Sequence, residues 1–260
     1  MIVLRIVIKV GTSTLTHATG RMDIRHVENL CKVISDIKNA GHEVVFVSSG
    51  AIGMGVGKLN LTSRPADMPT KQAAAAVGQC ELMYVYDKLF ASYNHTVAQI
   101  LLTGEDLRDE DRHLNFANTL TRLLELGVLP IINENDTVST DEIGVGDNDT
   151  LAALVAVSIK ADLLILLSDI DGLYTADPRH HSDARLIPEV FEITPEMKSG
   201  AEGGGTALST GGMTTKLIAA EICMEDGTET IILNGSKPAL LYDVLEGKPI
   251  GTRFVGRNKK

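Results

Sequence analysis

The sequence predicts an α/β protein, a three-layer α/β/α sandwich around a mainly parallel central sheet. Three observations carry that expectation. Short apolar runs alternate with segments of helical spacing from one end of the chain to the other. Most of the runs are continuously apolar rather than alternating, as strands covered on both faces are. Glycines stand where several helical patterns stop.

In chain order, the strand-like runs are residues 3–10, 44–47, 97–102, 128–132, 163–167 and 230–233. Between the first two, Val27, Leu30, Cys31, Ile34 and Ile37 follow helical spacing, and Gly41 supplies the stop. Residues 71–92, 115–126, 148–161 and 214–226 read as further helices, giving the strand–helix alternation of βαβ units. Residues 176–205 interrupt the rhythm with Pro178, Pro188, Pro195 and Gly203-Gly204-Gly205, which predicts a loop-rich second lobe or lid rather than a separate domain. Residues 133–147 are polar around Val138 and Ile143 and read as a hairpin.

Composition narrows the function. Five Phe, five Tyr and no Trp leave little for a base-stacking surface, and a net charge of −10 opposes a broad polyanion-binding face, so no nucleic-acid partner is expected. No run is long enough to span a membrane and the start of the chain has no leader pattern, which predicts a cytoplasmic protein without a membrane partner. Cys31, Cys80 and Cys223 show no paired spacing and read as buried reduced thiols. His180-His181 lacks metal-ligand spacing and reads as solvated loop.

The chemistry-bearing segments follow strand-like runs, where open α/β sheets gather ligands. Gly53-Met54-Gly55-Val56-Gly57 does not complete a dinucleotide fingerprint, and Gly57-Lys58 lacks the remainder of a Walker loop. What remains is a set of five loops. Lys9 ends the first strand ahead of Gly11, which reads either as a phosphate approach or as a lysine marking a strand edge. Ser48-Ser49-Gly50-Ala51 offers hydroxyl and N–H donors to a carboxylate, or is simple turn chemistry. Asn133-Glu134-Asn135-Asp136 is a polar cluster that needs partners if buried and is otherwise an exposed loop. Ser168-Asp169 follows the fifth run and leads into Gly172-Leu173-Tyr174-Thr175-Ala176-Asp177-Pro178. Thr210-Gly211-Gly212-Met213-Thr214-Thr215-Lys216 opens the last long helix, where backbone N–H groups and a mobile lysine suit phosphate. Asp147-Asn148-Asp149 opens another helix, as caps or as ligands for an anion.

The order of these loops resembles the amino acid kinase family, and within it the glutamate 5-kinases. The resemblance rests on Lys9-Val10-Gly11-Thr12-Ser13, Ser49-Gly50-Ala51-Ile52, Ala76-Val77-Gly78-Gln79, Asn133-Glu134-Asn135-Asp136, Gly146-Asp147-Asn148-Asp149, Gly172 to Pro178, Gly211 to Lys216 and Gly235-Ser236-Lys237-Pro238, and covers nearly the whole chain. It implies the amino acid kinase fold and transfer of the ATP γ-phosphoryl group to the side-chain carboxylate of L-glutamate, the first step of proline biosynthesis. Such a nucleophile, with an ordinary pKa of about 4.3, needs no general base at neutral pH. That leaves the protein to position and stabilise.

Carried over by residue, the resemblance makes Lys9, Lys216 and Asp149 catalytic. The lysines would lie on the phosphates, and Asp149 would orient them. It assigns Ser49, Gly50, Ala51, Asn133, Asp136, Asp147 and Asn148 to the acceptor, with Asp136 receiving the α-ammonium. Nucleotide binding falls to Lys9, Gly11, Ser168, Asp169, Tyr174, Asp177, Pro178, Thr210, Gly211, Gly212, Met213, Thr214, Thr215 and Lys216. ATP and Mg²⁺ are the implied cofactors, L-proline a possible feedback inhibitor, and a homo-dimer or homo-tetramer the implied assembly. Residues 1–260 read as one catalytic domain, with a substrate lobe over about 1–160 and a nucleotide lobe over about 161–260. Many glutamate 5-kinases carry a C-terminal RNA-modification-type (PUA) domain, and by this resemblance the chain reads as the catalytic domain without it. Aspartate, carbamate, N-acetylglutamate and uridylate kinases are the alternatives within the fold, and a non-catalytic ligand sensor is the alternative outside enzymes.

Overall fold

The computed structural model describes residues 2–17, 21–138, 147–201 and 212–257. The elements run β1 (Arg5–Val10), α1 (Thr12–Leu15), α2 (Ile24–Asn39), β2 (Glu43–Val47), α3 (Ala51–Lys58), α4 (Met68–Ala91), β3 (Val97–Leu102), α5 (Gly104–Arg108), α6 (Glu110–Glu125) and β4 (Leu129–Glu134). They continue α7 (Asn148–Ser158), β5 (Leu163–Ser168), β6 (Glu189–Val190), α8 (Pro195–Ala201), α9 (Met213–Asp226), β7 (Glu229–Asn234), α10 (Leu240–Leu245) and β8 (Thr252–Phe254).

The strands form one sheet in the order β3-β4-β2-β1-β5-β7-β8-β6. Every pairing is parallel except β7 with β8. The apolar strand sequences explain this burial. On β1, Ile6, Ile8 and Val10 enter the core beneath α2, α3, α4 and α10, and Val7 enters the core beneath α6, α7 and α9. Strands β2 and β5 alternate in the same way, so the sheet is sandwiched and its polar chain ends are left at the strand tips.

The six anticipated strands all form. Short elements escaped the sequence reading, notably β6, β8, α3 and α8. Residues 176–201 are less irregular than expected, because α8 begins at Pro195. A proline's fixed φ and missing N–H suit the first turn of a helix. Residues 139–146, the body of the expected hairpin, and Gly203-Gly204-Gly205 lie outside the described residues. Cys31 and Cys223 are buried, and burial holds both thiols far above their ordinary pKa. Cys80, expected to be buried as well, faces outward on α4. No helix among the described residues is long and apolar enough to cross a membrane.

Helix α3 carries three glycines in eight residues, a composition with poor intrinsic helicity. Packing against α4 is what holds it. A Cβ on Gly55 would lie 1.8 Å from the Ala74 carbonyl oxygen, and one on Gly78 would lie 1.8 Å from that of Ala51. The two helices therefore meet backbone to backbone, and α4 is drawn against the loop that follows β2.

Candidate active site

The tips of β1, β2, β4 and β5 and the first turns of α7 and α9 carry the polar residues that the sequence singled out. Period-two alternation on β1 turns Lys9 to the same side as Val7, toward α7 and α9. There Lys9 Nζ lies 2.7 Å from Asp149 Oδ1, and Lys216 Nζ lies 3.0 Å from Asp149 Oδ2. Thr215 Oγ1 sits 2.9 Å from the same Oδ2 and 2.9 Å from the Gly212 carbonyl. Asp149 is 1% exposed. Burial alone would raise its pKa, but the two ammonium groups more than offset this and hold the carboxyl at about 2. The triad is a buried ion cluster with one positive charge in excess.

Asp147 is the residue that caps α7. Its Oδ1 accepts from the N–H groups of Asp149 at 2.6 Å and Thr150 at 3.1 Å, and Thr150 Oγ1 donates to Oδ2 at 3.1 Å. Burial and the neighbouring Asp149 raise the Asp147 pKa. With the cap supplied by Asp147, the side chains of Asn148 and Asp149 are released for partners in other elements.

Asn148 uses its release to tie loops together. Its Nδ2 lies 2.8 Å from the Ser48 carbonyl, 2.8 Å from Ser49 Oγ and 2.9 Å from Asn133 Oδ1. Gly50 follows with φ of +90°, a turn open to glycine, and starts α3 at Ala51. Asn133, 1% exposed at the tip of β4, also accepts from the Glu134 N–H at 2.9 Å and donates to Gln79 Oε1 at 2.9 Å. Asn133 is thus buried and partnered, and Glu134, Asn135 and Asp136 after it are half-buried, so the segment is not a fully exposed loop. Asp136 beyond it is half-buried, and burial together with Glu134 raises its pKa to about 6, against a smaller lowering by Arg64.

On the other side of the triad lies a cavity of about 610 Å³. Ser168, Asp169, Tyr174, Asp177 and Pro178 line it from the segment after β5, and Gly212, Met213 and Lys216 line it from the start of α9. Helix α9 has no side-chain cap at Gly212. Lys216 therefore belongs to the cavity wall and to the buried triad at once. Gly11 precedes α1, and a Cβ there would lie 3.7 Å from Lys9 Nζ. Thr214 turns aside to donate to the Ala201 carbonyl at 3.1 Å. Thr210 and Gly211 lie outside the described residues.

Sequence reading missed several groups. Ile187 and Met197 provide apolar wall, and Arg179 pairs with Asp177 through two contacts of 3.1 Å. His180 and His181 are exposed, as expected, but they also line the cavity. Thr252, fully buried on β8, accepts from the Leu173 N–H at 2.8 Å and donates to the Ile187 carbonyl at 2.6 Å, bracing that wall. Only the Pro195 helix start offered a signal for any of these. Among the described residues no group of three or more His, Cys, Asp or Glu is placed to hold a metal.

The chain matches the model of the amino acid kinase family over residues 4–234. It is 52% identical over 257 residues to the glutamate 5-kinase of Clostridium perfringens, spanning 97% of this chain and 96% of that protein. The Caldanaerobacter subterraneus glutamate 5-kinase is 51% identical, spanning 97% of this chain and 68% of that longer protein. Among solved structures, Giardia lamblia carbamate kinase bound to AMP-PNP superposes with a TM-score of 0.71 at 20% identity, covering 98% of this chain and 99% of that one. UMP kinase from Ureaplasma parvum follows at 0.66 and 18%, covering 98% and 100%. At those identities the structural likeness is one of fold, whereas the sequence relatives define kinship: the chain belongs to the amino acid kinase family, on its glutamate 5-kinase branch.

Proposed function

We propose that this kinase transfers the γ-phosphoryl group of ATP to the side-chain carboxylate of L-glutamate, giving L-glutamyl 5-phosphate for proline biosynthesis. The observation that carries the proposal is the double membership of Lys216, which joins a nucleotide-sized cavity to the buried Lys9–Asp149–Lys216 cluster. A carboxylate oxygen of glutamate attacks the γ-phosphorus, an oxygen–phosphorus bond forms, and the bond to the β-phosphate oxygen breaks to release ADP. Both reactants are anions, so the barrier is lowered by cations fixed where they meet. Lys9 and Lys216 take that role, and Asp149 holds them there.

In this reading the first lobe, about residues 1–160, holds glutamate through the Ser49–Ala51 loop, Asn133, Asn148 and Asp136. The second, about 161–260, holds the nucleotide through the segments after β5 and before α9. Asp136 accepts the α-ammonium, a pairing favoured by a carboxylate that burial and Glu134 leave short of positive charge. Mg²⁺ enters with the nucleotide, carried mainly by phosphate oxygens and water. The family supports a cytoplasmic enzyme, a dimer or tetramer, and L-proline as a feedback ligand.

The test is hydroxylamine trapping with Mg-ATP and L-glutamate, L-aspartate, N-acetyl-L-glutamate or carbamate, with UMP followed by ADP release. Glutamate-dependent hydroxamate and ADP, abolished in Lys216→Ala, is the expected result. Turnover of another acceptor alone would overturn the substrate assignment, and binding without turnover would make the protein a sensor.

A further inference from the structure

Gln79 has no place in the functional reading so far, yet it is a polar side chain 8% exposed in the middle of α4. Burying an amide is costly unless its atoms are partnered. Its Oε1 accepts from Asn133 Nδ2 at 2.9 Å. Asn133 cannot exchange its oxygen and nitrogen, because its Oδ1 also accepts from the Glu134 backbone N–H, which is always a donor. That fixed oxygen is one of the acceptors that face Asn148 Nδ2, and the Ser48 carbonyl is another. A single polar chain therefore runs from Gln79 through Asn133 to Asn148 and Ser49, and each link has a defined donor and acceptor.

Resting on the glutamate-kinase reading, we infer that Gln79 is a positioning residue for the acceptor site, acting on glutamate through Asn133 and Asn148 without touching it. The packing of α4 puts it there. The adjacent Gly78 lies against the Ala51 carbonyl, where a Cβ would approach to 1.8 Å, so α4 passes close enough for Gln79 to reach the tip of β4. With an apolar group in its place, the Asn133 amide keeps its backbone anchor but loses the acceptor for Nδ2. To recover one, Asn133 has to turn, and turning sets its NH₂ against the Glu134 N–H and the Asn148 NH₂. Either outcome disturbs the orientation in which Asn148 and Ser49 are presented. The nucleotide cavity contains none of these residues.

The experiment measures kcat and both KM values by hydroxamate formation for the wild type, Gln79→Met, Gln79→Glu, Asn133→Ala and the double variant Gln79→Met/Asn133→Ala, with thermal unfolding to show that each is folded. Gln79→Met is expected to raise the KM for glutamate by about tenfold, the cost of one unpaired buried donor. Its KM for ATP should stay within about twofold, inside the usual additivity error. Gln79→Glu keeps an acceptor toward Asn133 and should recover most of the glutamate KM. In the Asn133→Ala background the Gln79→Met change should have no further effect, because the link it acts through is gone. A glutamate KM unchanged in Gln79→Met, an equal rise in the ATP KM, or a full effect persisting without Asn133 would each overturn the inference. Absence of glutamate turnover in the wild type would overturn the functional reading, and this inference with it. If Gln79→Met does not fold, the Gln79→Glu and Asn133→Ala pair decides, since failure of the glutamate form to hold the wild-type KM contradicts the acceptor role.

Discussion

On the side proposed for the acceptor, Ser49, Asn133 and Asn148 are tied to one another and to backbone groups of Ser48 and Glu134. On the side proposed for the nucleotide, an open cavity is bounded by mixed apolar and polar walls, among them a surface ion pair between Arg179 and Asp177. The first arrangement fixes donors and acceptors before a ligand arrives, and the second supplies shape and polar groups that are less tightly tied to one another. A small zwitterion offers few atoms to hold, so its site must be preorganised. A nucleotide has area and charge enough to be held by a looser one.

Disrupting the junction between the two sides should have the largest effect. Asp149→Asn leaves Lys9 and Lys216 side by side without a counterion, and kcat is expected to fall by at least about 10²–10³-fold. Losing one partner of a buried ion cluster should also destabilise the fold by about 3–5 kcal/mol, visible as a lower Tm.

On the acceptor side alone, Asp136→Asn is expected to raise the glutamate KM by about tenfold or more, in line with loss of a charged hydrogen bond, and to leave the KM for ATP in place. Its pH dependence follows from a carboxyl that titrates near 6. Above that pH the group is an anion and, in its proposed role, attracts the ammonium, so the wild-type glutamate KM should rise as pH falls from about 7.5 to 5.5. Asp136→Asn should flatten that rise. In the ligand-free protein the raised pKa means that the native state holds this proton more tightly than the unfolded chain. Its stabilising contribution is present at low pH and lost as pH rises through about 6. Asp149 works the other way, with a contribution present above its ordinary carboxylate value and lost as pH falls through about 2.

On the nucleotide side, Met197→Ala removes wall area from a site with few fixed contacts. The KM for ATP should rise by about fivefold and the glutamate KM should not change, measured by ADP release at saturating co-substrate. The smallest effect is expected from salt. The triad is buried, so raising ionic strength to about 0.5 M should leave kcat within about twofold of its value at low salt.

Much of this was legible from residue order. Continuous apolar runs gave the parallel strands, because a strand buried on both faces has no polar positions to spare. Lys9, Asp149 and Lys216 were each ambiguous alone, and only the order of the surrounding loops brought them together. Helix α3 was not legible, since Gly53, Gly55 and Gly57 argue against helix by propensity, and only the backbone contact with α4 shows why they are there. Strand β8 has three residues, too few for a period, and its place depends on pairing with β7. The division of labour between Asp147 and its neighbours was hidden as well. Any of Asp147, Asn148 and Asp149 could cap a helix, and the choice is made by which side chains the sheet tips can reach.

The central place of β1 governs how this chain must fold. One edge of β1 pairs with β2, available early, but the other pairs with β5, whose register from Ile6↔Leu163 to Val10↔Leu167 lies some three-fifths of the way along the chain. While a ribosome is still making the intervening residues, an apolar strand has an open row of N–H and C=O groups, the condition that invites pairing with another chain. The order of synthesis thus makes β5 the closing piece of the first half of the sheet, and slow passage through residues 135–162 would be the interval of greatest risk of aggregation.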